Sequence, residues 1–321
     1  LVTLRPGSAA ALDAARAASL AAIPDGPAKD EGIEVGEDAA AAMLLARFGD
    51  GWDAVVPYTP ATEPGDWQPT PPALAPAAFT QWGQVTPFGL ADGSQFRLPS
   101  PPALHTGKYA ADYNEVKLVG RIDSAFRSQD RTDVARFYAA ATPVQVWNSA
   151  ARQVSAAQGK SLSVNARIFA LLSMGICDAS IATFDTKYHY DFWRPVTAIR
   201  HGDVDGNAHT DADPEWLPLI ATPAFPGYPS AHATLSGAAR AVLERAFGKD
   251  GHDVTLTHPT LPGIVLDYGA WDEITDDIDD ARVYGGIHFR FDQEAGAKQG
   301  RAVGAYILRN YLRSVDELAE E

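Results

Sequence analysis

Six residues spread over about a hundred positions carry the side chains best suited to hold and work on an anion: Lys187, Arg194, Ser230, His232, Arg282 and His288. They fall in three stretches, KYHYDFWRP from Lys187 to Pro195, PSAH from Pro229 to His232, and ARVYGGIHFRFD from Ala281 to Asp292. Arginine offers a planar fork matched to two oxygens and lysine a movable point charge, a pairing suited to a phosphate-like group. On a chain of formal net charge −15, this concentration of positive charge is a candidate oxyanion site.

Each stretch has a local logic. Pro229 precedes Ser230, a strong N-cap type, and a helical run begins at once, so unpaired N–H groups and the positive end of the helix dipole would face an anion beside His232. Pro195 pushes Arg194 out of the helical region and marks a turn, which lets Arg194 converge with Lys187 at the end of a long helix. The plain alternatives are a surface i, i+4 pair of Lys187 with Asp191 and an ordinary helix cap. Arg282 and His288 stand six apart, on different faces of a continuous helix, but Gly285-Gly286 between them can break or bend it. Asp292, four residues past His288, is placed to accept a hydrogen bond from one ring nitrogen and leave the other free as ligand or nucleophile.

The elements that must position these residues read as helices. SAAALDAARAASLAAI, with Ser8 as its cap, and GEDAAAAMLLARFG form a peripheral N-terminal segment, residues 1–56. Residues 57–104 are too rich in proline for regular helix and make a wrapping arm anchored by Trp67, Phe79, Trp82, Phe88 and Phe96. Residues 105–321 form a helical catalytic core with a central apolar helix, SVNARIFALLSMGICDASIATFDTKY, and a last helix from Phe291 to about Ser314. No alternating pattern is long enough for a sheet, so the fold class is all-α, one compact domain overall.

Composition narrows the function. With 46% hydrophobic residues the chain can bury a large core, and no apolar run reaches the roughly eighteen residues of a membrane span. The acidic balance argues against nucleic acid, whose phosphates need a broad basic face. The single Cys177 excludes an internal disulfide and a cysteine zinc site, and reads as a buried helical residue. A chain starting at Leu1 fits a mature form freed of a signal peptide or a trimmed one, and a secreted or periplasmic location is the expectation. The loop from His201 to Asp213 alternates acids but lacks the glycine and terminal glutamate of a calcium loop, so it reads as a solvated turn. The acidic run from Asp272 to Asp280 reads as a solvent-facing helix N-terminus.

Taken jointly, the three stretches resemble, in order, spacing and residue type, the motifs K-x6-R-P, P-S-G-H and S-R-x3-G-x-H-x3-D of the superfamily uniting vanadium-dependent haloperoxidases with type 2 phosphatidic acid phosphatases. Ala231 replaces the glycine and Ala281 the serine. The resemblance implies an all-helical fold and a vanadate or phosphate held by Lys187, Arg194, Ser230, the backbone N–H of Ala231, and Arg282, with His288 at the apical position and His232 as acid–base group. For a haloperoxidase it implies His288 as ligand to vanadium, Lys187 polarising the bound peroxide, and hydrogen peroxide and halide as substrates. For an acid phosphatase it implies a phosphate monoester, no cofactor, His288 as nucleophile forming a phosphohistidine, and His232 protonating the leaving group. Phe192, Trp193, Phe225, Phe289 and Phe291 resemble the soluble haloperoxidase branch, which is the favoured reading, with Phe225 a candidate for halide selectivity. Resemblance to soluble relatives also makes Asp112 or Glu115 a candidate to orient Arg282 or His232, beside a plain surface reading. An inactive anion-binding relative is a third reading. The oligomeric state is left open, a homodimer included.

Overall fold

The computed structural model describes residues 1–313 and divides into two compact units, Leu1–Asp50 and Gly51 onward. The first unit holds α1 (Ala9–Ala21) and α2 (Pro27–Ala46), neither of which buries a residue. Ser8 makes no side-chain cap, contrary to expectation, and α2 starts at Pro27 rather than near Gly36 because a proline at the first position suits a helix start.

In the second unit the arm is irregular apart from two short 3-10 turns, Trp82–Gln84 and Gly93–Phe96. It is tied down by backbone bonds. The Trp67 N–H donates to Asp191 O at 2.6 Å, the Trp193 N–H to Gly65 O at 2.8 Å, and buried Asp178 accepts from the N–H groups of Phe88, Gly89 and Leu90. Of the expected aromatic anchors only Trp67 is fully buried, and Phe79 is 50% exposed.

The helices that follow are α3 (Gly107–Val119), α4 (Gln129–Ala140), α5 (Pro143–Ala157), α6 (Leu162–Tyr190) and the short α7 (Pro195–Arg200). Then come α8 (Ala231–Phe247), α9 (Trp271–Tyr284) and α10 (Arg290–Asn310). Thr106, Ser128, Thr142, Ser161 and Ser230 cap their helices through the side chain, each satisfying an N–H that the first turn leaves unpaired. α10 stops at Asn310, and the expected end at Ser314 lies outside the described residues. Cys177 is half-buried on α6 rather than fully enclosed.

The fold is mostly helical, as expected, with one unforeseen element: an antiparallel hairpin of β1 (Asp250–Thr257) and β2 (Val265–Ala270). Only Val254 and Leu256 of β1 are buried, too short an alternation to stand out in the sequence. Gln153 of α5 covers the strand edge by bonding both N–H and C=O of Thr255.

α6 is the central helix, packed by α8 and α10. It contradicts the expectation that no segment is long and apolar enough to span a membrane: its most apolar window has mean hydropathy 1.5, and 61% of that window is buried inside the protein. α8 and α10 touch along a seam of small residues. A Cβ on Gly300 would lie 1.9 Å from Thr234 O, one on Gly304 2.7 Å from Ala238 O, and one on Gly296 2.6 Å from Ser230 O. Only glycine permits this approach, and the approach sets the N-terminus of α8 against that of α10.

Candidate active site

Lys187, Arg194, Ser230, His232, Arg282 and His288 are brought to one region by five elements. Lys187 lies in the last turn of α6, where Asp191 ends the helix in the left-handed conformation with φ 50°. Its side chain is fully buried and its Nζ donates to Pro226 O at 2.7 Å and Gly227 O at 2.8 Å. The surface pair with Asp191 is therefore absent; Asp191 instead accepts a hydrogen bond from the Tyr58 hydroxyl. Arg194, also fully buried, caps α7 and donates from Nε to Phe225 O and from Nη1 to Ile287 O, each at 2.9 Å.

The Phe225 ring covers both cations, with Lys187 Nζ 5.2 Å and Arg194 Cζ 5.0 Å from its centroid. Such contacts stabilise a desolvated cation by about 0.5–2 kcal/mol. Gly227 admits this loop because a Cβ there would meet Trp193 O at 2.7 Å.

Ser230 is fully buried and caps α8, its Oγ accepting from the Ala233 N–H, while its own N–H donates to Asp292 O at 2.9 Å. This bond ties the start of α8 to the start of α10. Ala231 and His232 follow in the first turn, both half-buried. Arg282 ends α9 and donates from Nη1 to Tyr138 O at 2.9 Å. The chain then bends at Gly286, whose φ of 79° and whose contact with Gly120 O, 2.4 Å from a hypothetical Cβ, both require glycine. The bend delivers His288, 3% exposed. Its Nδ1 bonds Asp292 Oδ2 at 2.8 Å, and that oxygen also accepts from the Phe289 N–H at 3.1 Å. With Nδ1–H donating to the carboxylate, Nε2 carries the lone pair, and Arg194 Nη1 lies 2.9 Å from it.

The electrostatics follow from packing three cations and two imidazoles out of water. Burial, then Arg194, holds the Lys187 ammonium well below its usual range. Burial pulls Arg194 down to about 9 and Arg282 to about 10. His288 is held well below 6.5 by burial and then by Arg194, Lys187 and Arg282; His232 is held there by burial and then Arg282, against an opposing bond to the Tyr138 backbone. Both imidazoles are neutral at pH 7. Burial raises the Asp292 carboxyl, opposed chiefly by the charge of Lys187.

Three side-chain nitrogens at this site, Arg194 Nη2, Arg282 Nε and His232 Nε2, are buried without a hydrogen-bond partner among the described residues. Unpaired buried polar groups cost about 1–3 kcal/mol each. A tetrahedral oxyanion answers this arrangement: it supplies acceptors for the two arginine N–H groups, a hydroxyl for the His232 Nε2 lone pair, and negative charge for mutually repelling cations. The residues present fit vanadate or phosphate.

Other expectations are corrected. Asp112 and Glu115 touch neither Arg282 nor His232; Asp112 accepts from the Phe291 N–H at 2.8 Å, and Glu115 bonds Arg290 at 2.6 Å, so both fix the start of α10. The loop after His201 is a turn with His201, Asp203, His209 and Asp211 exposed, but it is pinned from inside. Asp205 is buried and accepts from the Asn207 N–H and the Thr210 hydroxyl, and no group of three or more metal-binding side chains forms among the described residues. The acidic run on α9 is not wholly solvent-facing: Asp277 bonds Arg131 and Tyr268, and burial lifts Asp279 to about 7. Sequence reasoning missed the carbonyls of Pro226, Gly227 and Tyr138, which as backbone groups leave no signal. It also missed Phe184, whose ring lies 5.2 Å from Phe225 and whose place one turn before Lys187 was a usable hint.

Fold and site together define a class: an α-helical protein that encloses a cluster of cationic donors around a carboxylate-braced histidine. Residues 167–317 match the family model described as the VCPO second helical-bundle domain. The chain is 26% identical to the vanadium chloroperoxidase of Curvularia inaequalis over an alignment of 276 residues, which covers 64% of this chain and 44% of that protein. It thus spans less than half of that relative's length. Among solved structures it is similar to a bacterial vanadium-dependent iodoperoxidase, with TM-score 0.68, 29% identity, 78% of this chain and 61% of that one covered. A bacterial vanadium-dependent chloroperoxidase in its holo form shares the fold at TM-score 0.65 and 22% identity, over 86% of this chain and 72% of that one. In its helical bundle the chain is thus similar to vanadium haloperoxidases, and it shares their fold.

Proposed function

We propose that the chain is a vanadate-dependent haloperoxidase that oxidises halide with hydrogen peroxide to hypohalous acid. One observation carries the reading: two orphaned N–H donors on buried Arg194 and Arg282, and the unpartnered Nε2 of His232, lie at the same site as a neutral His288 braced by Asp292. Lys187, Arg194, Arg282, the Ser230 hydroxyl and the Ala231 N–H would hold the oxyanion oxygens, and His288 Nε2 would be the metal ligand. Vanadate bound there would supply a Lewis acid that activates peroxide toward halide without changing oxidation state.

The protein's own contribution is electrostatic. Asp292 fixes the His288 tautomer so that the Nε2 lone pair faces the site. Lys187, held by two carbonyls and covered by Phe225, places a desolvated positive charge where negative charge develops. His232, neutral at pH 7, can take a proton at Nε2 from incoming peroxide and return it to a departing oxygen.

The same donor set suits a phosphoryl group, with His288 Nε2 as nucleophile, so an acid phosphatase is the second reading. Protein dialysed free of vanadium and assayed with and without orthovanadate separates the two. Peroxide-dependent halogenation that appears only with vanadate supports the first reading. Hydrolysis of a chromogenic phosphate ester, inhibited by vanadate and without halogenation, overturns it in favour of the second, and neither activity leaves an anion-binding protein.

A further inference from the structure

We infer that Phe79, carried by the proline-rich arm, is a positioning residue of the anion pocket, holding the Phe225 ring over Lys187 and Arg194. The inference rests on the oxyanion reading of that pocket. Phe79 has φ 61°, a left-handed conformation that opposes a bulky side chain. Its ring is nonetheless 50% exposed, so burial of the side chain itself does not explain why a phenylalanine stands there.

Its contacts do. The ring lies 6.2 Å from Phe225 and 5.4 Å from Phe184, which in turn is 5.2 Å from Phe225, so three rings form one mutually braced group. The backbone makes the same connection. The Ala78 N–H donates to Ala224 O at 2.8 Å, stitching the arm to the residue before Phe225, and the Tyr188 hydroxyl donates to Ala78 O. On the other side the Thr80 hydroxyl bonds Val56 O, and the Trp82 N–H donates to Phe79 O. Phe79 is pinned from both flanks with its ring against the aromatic cover of two buried cations. Without that ring Phe225 is free to swing, water reaches Lys187 and Arg194, and a bound anion must compete with it.

The test is orthovanadate binding by isothermal titration to wild type, Phe79→Ala, Phe79→Gly and Phe79→Tyr, with thermal melts to show that each is folded. Glycine relieves the strain of the left-handed backbone and alanine keeps it as phenylalanine does, so the pair separates a ring effect from a backbone effect. Both ring-less variants are expected to bind vanadate roughly tenfold more weakly than wild type, and by similar factors, with tyrosine restoring affinity. A Phe79→Gly protein that binds like wild type overturns the inference, because only the backbone would then matter; so does loss of melting temperature without loss of affinity. Wild type that takes up no vanadate sinks the pocket reading itself, a result distinct from tight binding that ignores Phe79.

Discussion

Gly300→Ala tests the link between helix packing and the site. The added Cβ would sit 1.9 Å from Thr234 O, 2.8 Å from Thr234 C and 2.9 Å from Ala238 N, all backbone of α8 that no rotamer can move aside. Restoring ordinary contact near 3.4 Å requires the two helices to part by about 1.5 Å at this point. Overpacking of this kind costs about 1–3 kcal/mol of stability, more than the gain of up to about 1 kcal/mol from alanine's better helix propensity. The displaced helix carries Ser230, Ala231 and His232, and misplacing reacting groups by about 1 Å can cost about a hundredfold in rate. Urea denaturation should therefore show a loss of about 1–3 kcal/mol, and vanadate-dependent turnover should fall by more than the folded fraction explains. Gly175→Ala is the control, since its Cβ would meet only Val242 at 3.7 Å and Ala238 at 4.0 Å, and it should be at least as stable as wild type with unchanged turnover. A Gly300→Ala protein as stable and as active as that control would refute the claim that the glycine seam sets the site.

Lys187→Met should abolish measurable vanadate binding by isothermal titration while the circular dichroism spectrum stays helical, because it removes one of three mutually repelling buried cations. Asp112→Ala leaves the buried Phe291 N–H without its acceptor and should cost about 1–3 kcal/mol in chemical denaturation. Folding holds the His288 pKa well below 6.5, so as pH falls through about 6.5 the unfolded chain takes up a proton that the folded chain refuses. That contribution to stability is full above about 6.5 and is lost on acidification. Thermal melts of the vanadium-free protein should therefore show a shallower decline between pH 7 and lower pH for His288→Gln than for wild type.

The site residues were legible because cations, histidines and a capping serine cluster at fixed spacings that few other structures demand, and the bend at Gly286 was readable from the glycine pair. The helices were legible from apolar periodicity and from caps such as Ser230. The hairpin was not, since its inward face is two residues, Val254 and Leu256, among charged neighbours. The partners of Asp112 and Glu115 were not legible, because their bonds run to Phe291 and Arg290, far away in sequence. Gly296, Gly300 and Gly304 recur every four residues, a spacing that is itself a readable sign of close helix packing.

The most direct test of the central claim is a crystal structure of the protein soaked in orthovanadate. The account predicts density for an oxyanion bonded to His288 Nε2, with its oxygens taking hydrogen bonds from Arg194 Nη2 and Arg282 Nε and one of its hydroxyls donating to His232 Nε2. A soaked structure in which those three nitrogens are satisfied by protein or water alone, with His288 Nε2 unbonded to any anion, would contradict it.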